Sequence, residues 1–412
     1  MIYFDNNATT MMPPEVVKEM VFWCNRGNPS SDYASGKRAH AMIDNARDYM
    51  MELVGVDNTT HQVIFVSGAS EANAMILNNV LRARCVSSAF DVVPIPHVVM
   101  SAIEHKGLME HARDLEKKRV AVFTFIKPDA HGFIDPRDVA RACTSKTRLI
   151  CVMHANNETG AVNDVDAIGA IARRAKIPFY SDCAQSFGKF PPHRACDALG
   201  VSFHKFGGPP GIGALIVARA MHIEPIIFGA QNEGVRGGTE NLPGIGAGIM
   251  ALRATMDHRA DTNARMKGIK MWICGELARR ASTLMFSDYA RGREFPPSAC
   301  DTCDGIVIIS ENANYLPNTL LLSVVKTAPP YVCNTKMKHA LADAGIVVSI
   351  GSACNTSSLK ASHVLHAIGA DTRVRAGTLR VSLGPESTLE DAKKFVDVLM
   401  NIVGCTDRFC RV

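Results

Sequence analysis

Five short apolar runs, each cut off by polar or glycine residues, constrain this chain more than any other feature. Val63-Ile64-Phe65-Val66 stops at Ser67-Gly68, and Val98-Val99-Met100 stops before Glu104-His105. Leu149 to Met153 stops before Asn156-Asn157, Phe179-Tyr180-Ser181 stops at Asp182, and Gly213 to Val217 follows a Gly/Pro loop. Helix-like stretches such as Asp164 to Ala175 lie between them. A strand that is apolar throughout must be covered on both faces. The pattern therefore predicts an α/β fold with a mostly parallel sheet between layers of helix. Ligands of such sheets bind beyond the carboxyl ends of the strands, which is where the polar residues just named fall.

After about residue 255 the alternation fades. Ala254 to Leu284 reads as one long helix and Asp288 to Asn314 as irregular chain. Thr319 to Val324 and Thr378 to Leu383 read as strands of a second, smaller α+β domain. A length of 412 residues suits two such cores. The net charge of +5 is small for this length, and no basic run is interleaved with aromatics, so the sequence does not point to nucleic acid. Thirteen scattered cysteines, an odd number in a chain too long to need a disulfide scaffold, point to a reducing compartment. The start, Met1 to Asp5, has neither the secretory nor the transit pattern, and no run of apolar residues is long enough to span a bilayer. A cytoplasmic protein is the expectation, with an organelle form already trimmed of its leader left open.

Two segments carry reactive chemistry on their own terms. Ser202-Phe203-His204-Lys205 runs straight into Phe206-Gly207-Gly208-Pro209-Pro210-Gly211. Lys205 is either a solvated loop lysine or a Schiff-base lysine of lowered pKa. Asp182, directly after a strand, is either a helix cap or the partner of a protonated pyridine nitrogen. The spacing of Asp182 to Lys205, at the ends of successive strand candidates, favours the second reading of Asp182.

The chain also resembles, in order and over nearly its whole length, the fold-type I pyridoxal-phosphate enzymes of the class V aminotransferase group, and among them the cysteine desulfurases. The resemblance runs through Tyr3 to Thr10, Gly27 to Ser31, Ser67 to Asn73, Glu104-His105-Lys106, Asn156 to Gly160, the Asp182 and Lys205 segments, Arg236 to Asn241, Gly351-Ser352-Ala353-Cys354 and Leu379 to Gly384. It implies a large cofactor-binding domain over 14–255. A smaller α+β domain over 1–13 and 256–412 would carry a catalytic cysteine loop. It also implies pyridoxal 5'-phosphate as cofactor, with Lys205 as its Schiff-base anchor and proton carrier. Asp182 would pair with the ring nitrogen, His105 stack on the ring and act in catalysis as a proton shuttle, and Gln185 meet its phenolic oxygen. Ala69 and Ser70, opening a helix, would hold the phosphate with Ser202, His204 and, from the partner chain of a homodimer, Thr239. Arg380 would clamp the substrate carboxylate with two parallel bonds, helped by Asn157, which would also belong to the cofactor-binding set. Without the resemblance, Arg380 reads as a strand-surface charge.

Cys354 sets the subclass. It sits among small and polar residues, Ser349 to Leu359, as a reachable thiol would. The implied reaction converts L-cysteine to L-alanine, leaves a persulfide on Cys354 and passes sulfur to an acceptor protein, either an iron–sulfur scaffold or a thiolation enzyme. A selenocysteine lyase, another enzyme of the same group and a weakly catalytic scaffold for a sulfur-transfer partner are the alternatives. Ser70 stands where threonine is usual, Asp32-Tyr33 where histidine is common, Pro210 where lysine is frequent, and Ile350 where a small residue is expected; the 228–233 segment is also less glycine-rich than usual. Cys300-x-x-Cys303 lacks the further ligands of a zinc site and reads as incidental, so no metal is expected. His363 and His366 read as surface residues of a helix.

Overall fold

The computed structural model describes residues 1–82, 95–191, 194–295, 303–310, 314–326, 329–350 and 362–404. Cys354, Gly351-Ser352-Ala353 and Cys300 lie outside the described residues. In chain order the strands are β1 (Ile2–Tyr3), β2 (His61–Val66), β3 (His97–Ser101), β4 (Val122–Ile126), β5 (Thr147–Cys151), β6 (Phe179–Asp182) and β7 (Ala198–Ser202). They continue with β8 (Gly213–Ala218), β9 (Thr283–Met285), β10 (Gly305–Ile308), β11 (Thr319–Val325), β12 (Ile346–Val347) and β13 (Thr378–Ser382).

Seven strands form the main sheet in the order β2-β8-β7-β6-β5-β3-β4. All neighbours from β7 to β4 run parallel, and β8 is antiparallel to both β2 and β7. The expected α/β, mostly parallel architecture is therefore present. The apolar runs are covered on both faces because successive side chains point to opposite sides. Val63 and Phe65 join a core that includes Ile43 and Met50 of the helix Ala34–Val54, together with Ile245 and Leu252. Ile64 and Val66 join the opposite core, with Met75 and Ile76 of the helix Ala69–Arg82 and Leu108 of the helix Lys106–Lys117.

The second sheet has four strands in the order β13-β11-β10-β9. Its core includes Ile306, Leu322, Val381 and Phe395, and it takes in Ile2 and Phe4 from the N-terminus, where β1 pairs with β12. Two expectations change here. The long helix is two helices, Leu242–Asp257 and Arg259–Arg280, which meet at His258, and residues 283–285 leave the helix to form β9. The stretch read as irregular contains β10, whose four buried apolar residues are too short a run to stand out from their Gly- and Cys-containing flanks. The main sheet also holds β4 and β7, which no continuous apolar run marks. The helix from Val165 to Ala175 begins where expected, because the Asp164 side chain accepts from the Ala167 N–H and caps it.

Candidate functional site

The parallel strands deliver their polar ends to one place. β6 ends at Asp182, which is buried. One carboxylate oxygen accepts from Asn73 Nδ2 at 3.2 Å and the other from the Ala184 N–H at 2.9 Å. β7 ends at Ser202 and continues as a single 3-10 turn, Phe203–Phe206, which carries Lys205. Gly207 closes that turn at φ 85°, a left-handed conformation that a side chain would strain. Lys205 Nζ donates to the carbonyls of Asn7 at 2.7 Å and Ala8 at 2.9 Å. Burial lowers its pKa to about 8, helped by the Arg380 charge and opposed by Asp182 and Asp5.

The turn after β2 brings Gly68 to φ 154° and opens the helix Ala69–Arg82. The Ala69 N–H donates to Ser202 Oγ at 2.8 Å, so Ala69, Ser70 and Ser202 gather at one helix N-terminus. Glu71, just inside that helix, accepts from Arg236 Nε at 2.9 Å and thereby ties the 236–241 turn to it. Thr239 in that turn is exposed, and among the described residues it makes no hydrogen bond to the other site residues. His204 Nδ1 lies 3.0 Å from Thr9 Oγ1, and burial with the neighbouring Lys205 charge lowers its pKa to about 4, so it is neutral at pH 7.

His105 is exposed and caps the helix Lys106–Lys117, its Nδ1 accepting from the Gly107 N–H at 3.2 Å. Glu104 beside it is fully buried. Burial raises its pKa to about 8, with Asp182 adding to the rise. Glu104 therefore holds a proton at neutral pH.

Arg380 on β13 is not a strand-surface charge but is 4% exposed. Its Nη1 donates to the Asn157 carbonyl at 2.9 Å and its Nη2 to Asp5 Oδ1 at 2.7 Å. Asn157 thus meets Arg380 through its backbone. Two buried side-chain atoms of the site have no hydrogen-bond partner among the described residues: Arg380 Nε and Gln185 Oε1. Such atoms are rare in a folded chain, and a ligand or an ordered water can complete the set.

Asn7, which carried no role in the sequence reading, links these parts. Its carbonyl accepts from Lys205 and from Gln185 Nε2 at 2.9 Å. Its side chain donates to the Asn157 carbonyl and Thr319 Oγ1 and accepts from Asn318 Nδ2. His363 is also not a surface residue: it is half-buried, with Nε2 2.9 Å from the Glu104 carbonyl. Ser362 beside it donates to Glu158 Oε2 at 2.5 Å. His366 is exposed, as expected. Among the described residues no group of His, Cys, Asp and Glu could hold a metal ion.

This donor set suits pyridoxal phosphate. A lysine of depressed pKa suits an aldehyde, and a buried carboxylate at a strand end suits a protonated ring nitrogen. An acceptor with no partner among the described residues, Gln185 Oε1, suits a ring hydroxyl, and a helix N-terminus flanked by Ser202 suits a phosphate. The unpaired Arg380 N–H suits the carboxylate of an amino-acid substrate.

Residues 2–267 match the family model for class-V aminotransferases. The chain is 32% identical over 411 residues to the cysteine desulfurase IscS of Dictyoglomus turgidum, with 98% of this chain and 94% of that protein covered. It is 31% identical to a cysteine desulfurase of Gluconacetobacter diazotrophicus, with 98% and 93% covered. Among solved structures, a NifS-like protein superposes with a TM-score of 0.82 at 26% identity, covering 98% of this chain and 99% of that one. SspA in complex with cysteine gives 0.72 at 28% identity, covering 94% and 100%. The strand order, the residues gathered at the strand ends and these likenesses agree: the chain belongs to the class-V aminotransferase family, on the side of its cysteine desulfurases.

Proposed function

We propose that this protein removes sulfur from L-cysteine with pyridoxal phosphate bound at Lys205, carries it as a persulfide on Cys354 and hands it to an acceptor protein. The observation that carries the reading is that Lys205 donates to the Asn7 carbonyl, Arg380 and the Asn7 side chain share the Asn157 carbonyl, and the Asp182 and Arg380 charges both act on Lys205, at the joint between the two sheets. Lys205 is the amine for the cofactor's aldehyde, and Asp182 keeps the ring nitrogen protonated. Gln185 and His105 position the ring. Ala69, Ser70, Ser202 and His204 hold the phosphate, joined by Thr239 from the second chain of a homodimer. When bound, the cofactor supplies an electron-poor ring that stores the electron pair left when the substrate Cα–H bond breaks.

Arg380 and Asn157 hold the substrate carboxylate. Each terminal nitrogen of Arg380 keeps a second N–H beyond those given to Asp5 and Asn157. Lys205, neutral in part near pH 7, takes the Cα proton and returns it. The Cys354 thiolate attacks the substrate sulfur: an S–S bond forms, the Cβ–S bond breaks with its pair going to the carbon fragment, and protonation of that fragment gives L-alanine. Chain length supports the approach. Ser349 exchanges both backbone hydrogen bonds with Arg380, at 2.7 and 3.1 Å, and Cys354 follows five residues later. A tether of that length reaches at most ~18 Å.

The smaller domain, 1–13 with 256–412, would bring Cys354, and 14–255 would bind the cofactor; the packing of Ile2 and Phe4 against the second sheet supports that division. No described helix is long and apolar enough to cross a membrane. The working place we infer is the cytosol, from the reducing compartment that thirteen scattered cysteines point to. The test is production of alanine and sulfide from L-cysteine by purified protein with pyridoxal phosphate and a thiol reductant. Equal yields are expected. Cys354→Ala should keep the bound cofactor's absorbance and lose both products, and persulfide formed in that variant would remove Cys354 from the reaction.

A further inference from the structure

Tyr180 is fully buried on β6, two residues before Asp182 and so on the same face of the sheet. A buried phenol needs a partner, and its hydroxyl donates to Asn73 Oδ1 at 2.5 Å. With its oxygen engaged, the Asn73 amide presents Nδ2 to Asp182 Oδ2. Asn73 lies one turn below Ala69 on the helix that packs over this face, so a single turn of helix spans from the phosphate end of the site to the ring-nitrogen end. The space for the phenol comes from β7. Gly200 is the register partner of Asp182, and a methyl group there would overlap the Tyr180 hydroxyl. Burial, reinforced by Asp182, keeps that phenol protonated and therefore a donor.

We propose that Tyr180 and Asn73 are positioning residues for Asp182: the phenol locks the amide, the amide fixes one carboxylate oxygen, and the gap at Gly200 admits the phenol. The inference rests on the reading of Asp182 as the ring-nitrogen partner. It predicts that the aim of that carboxylate is set by a tyrosine that touches neither cofactor nor substrate.

The holoenzyme tests it by the release rate of pyridoxal phosphate and the absorbance of the bound cofactor, with thermal unfolding as the folding control. Asn73→Ala should speed release by about tenfold, the size of one lost hydrogen bond to a charged group, Tyr180→Phe by up to as much because it frees the amide that makes that bond, and both should shift the absorbance. The double variant should be no worse than Asn73→Ala alone, because the two act as one unit. Gly200→Ala should lower the melting temperature. Adding Tyr180→Phe should restore it, because the nearest ring atom left is Cζ at 3.3 Å, while cofactor release stays fast. A tyrosine that served packing alone would recover stability and cofactor retention together, and that result overturns the inference. Asp182→Ala is the reference. If it loses the cofactor while Tyr180→Phe keeps normal release and absorbance, the positioning role is wrong. If Asp182→Ala itself changes neither, the assignment of Asp182 fails and this inference falls with it.

Discussion

The depressed pKa of Lys205 has a direct kinetic signature. Only the neutral amine attacks an aldehyde, so cofactor capture by the apoprotein should follow the neutral fraction of Lys205. With a pKa of about 8, roughly one molecule in ten is neutral at pH 7. An unperturbed lysine would offer roughly one in 3,000, so the site gains about 300-fold in competent amine. Stopped-flow absorbance of apoprotein mixed with pyridoxal phosphate should show a rate that climbs about tenfold per pH unit and levels off near 8. Burial is the larger cause and Arg380 the next. Arg380→Gln should therefore move the plateau upward, but not all the way to the solution value. The same shift acts on stability. A lysine with a lowered folded-state pKa contributes stability present above its unfolded value and lost as pH falls through the folded one. The apoprotein should thus be weakened by about 3 kcal/mol at neutral pH by this buried ammonium, and Lys205→Met should recover part of it. A wild-type capture rate that keeps rising without a break well above pH 8, or a plateau indifferent to Arg380, would refute the electrostatic account.

Ser362→Ala removes the hydroxyl that meets buried Glu158, and His363→Phe removes the tie to the Glu104 carbonyl. Both should leave cofactor loading intact and lower the turnover of L-cysteine several-fold, since they loosen the return end of the segment that carries Cys354; normal turnover in the double variant would argue against an anchoring role. Lys270, buried with its Nζ on the Leu316 carbonyl at 3.0 Å, has its pKa lowered to about 8 by burial. Lys270→Met should gain thermal stability relative to wild type at pH 7. That advantage should shrink as pH rises above 8, where the wild-type lysine gives up its proton; an advantage that stays constant with pH would rule out the charge as its cause.

The sequence made the strand ends legible because a fully buried strand leaves a continuous apolar run, and a ligand site leaves an abrupt polar stop. Asp182, Lys205 and the Ser67-Gly68 turn all stood out for that reason. β4 was harder to see, since Val122 is exposed in a run already broken by Thr124. The break between the two helices at His258 was harder still, because neither proline nor glycine marks it. Arg380 read as a surface charge on its own because burial of a guanidinium depends on partners, here Asp5 and Asn157, that lie hundreds of residues away. His363 looked like a surface residue because the helical spacing with His366 says which residues share a face, not what that face meets.

Asn73, Tyr180 and Gly200 show the same limit in a sharper form. In sequence they are an ordinary helix asparagine, a strand aromatic and a strand glycine. Only the register that sets Gly200 beside Asp182, and the helix laid across that face, turns them into one hydrogen-bonded unit. Asn7 does the same at the joint between the sheets. Its backbone N–H meets Ser382 and its side chain meets Thr319 and Asn318 on one side, while its carbonyl takes Lys205 and Gln185 on the other. A displacement of the second sheet must therefore move the acceptor of the reactive lysine. The geometry of Lys205 is set as much by the domain expected to carry Cys354 as by the sheet it grows from, which gives a physical reason for the two halves of the reaction to share one joint.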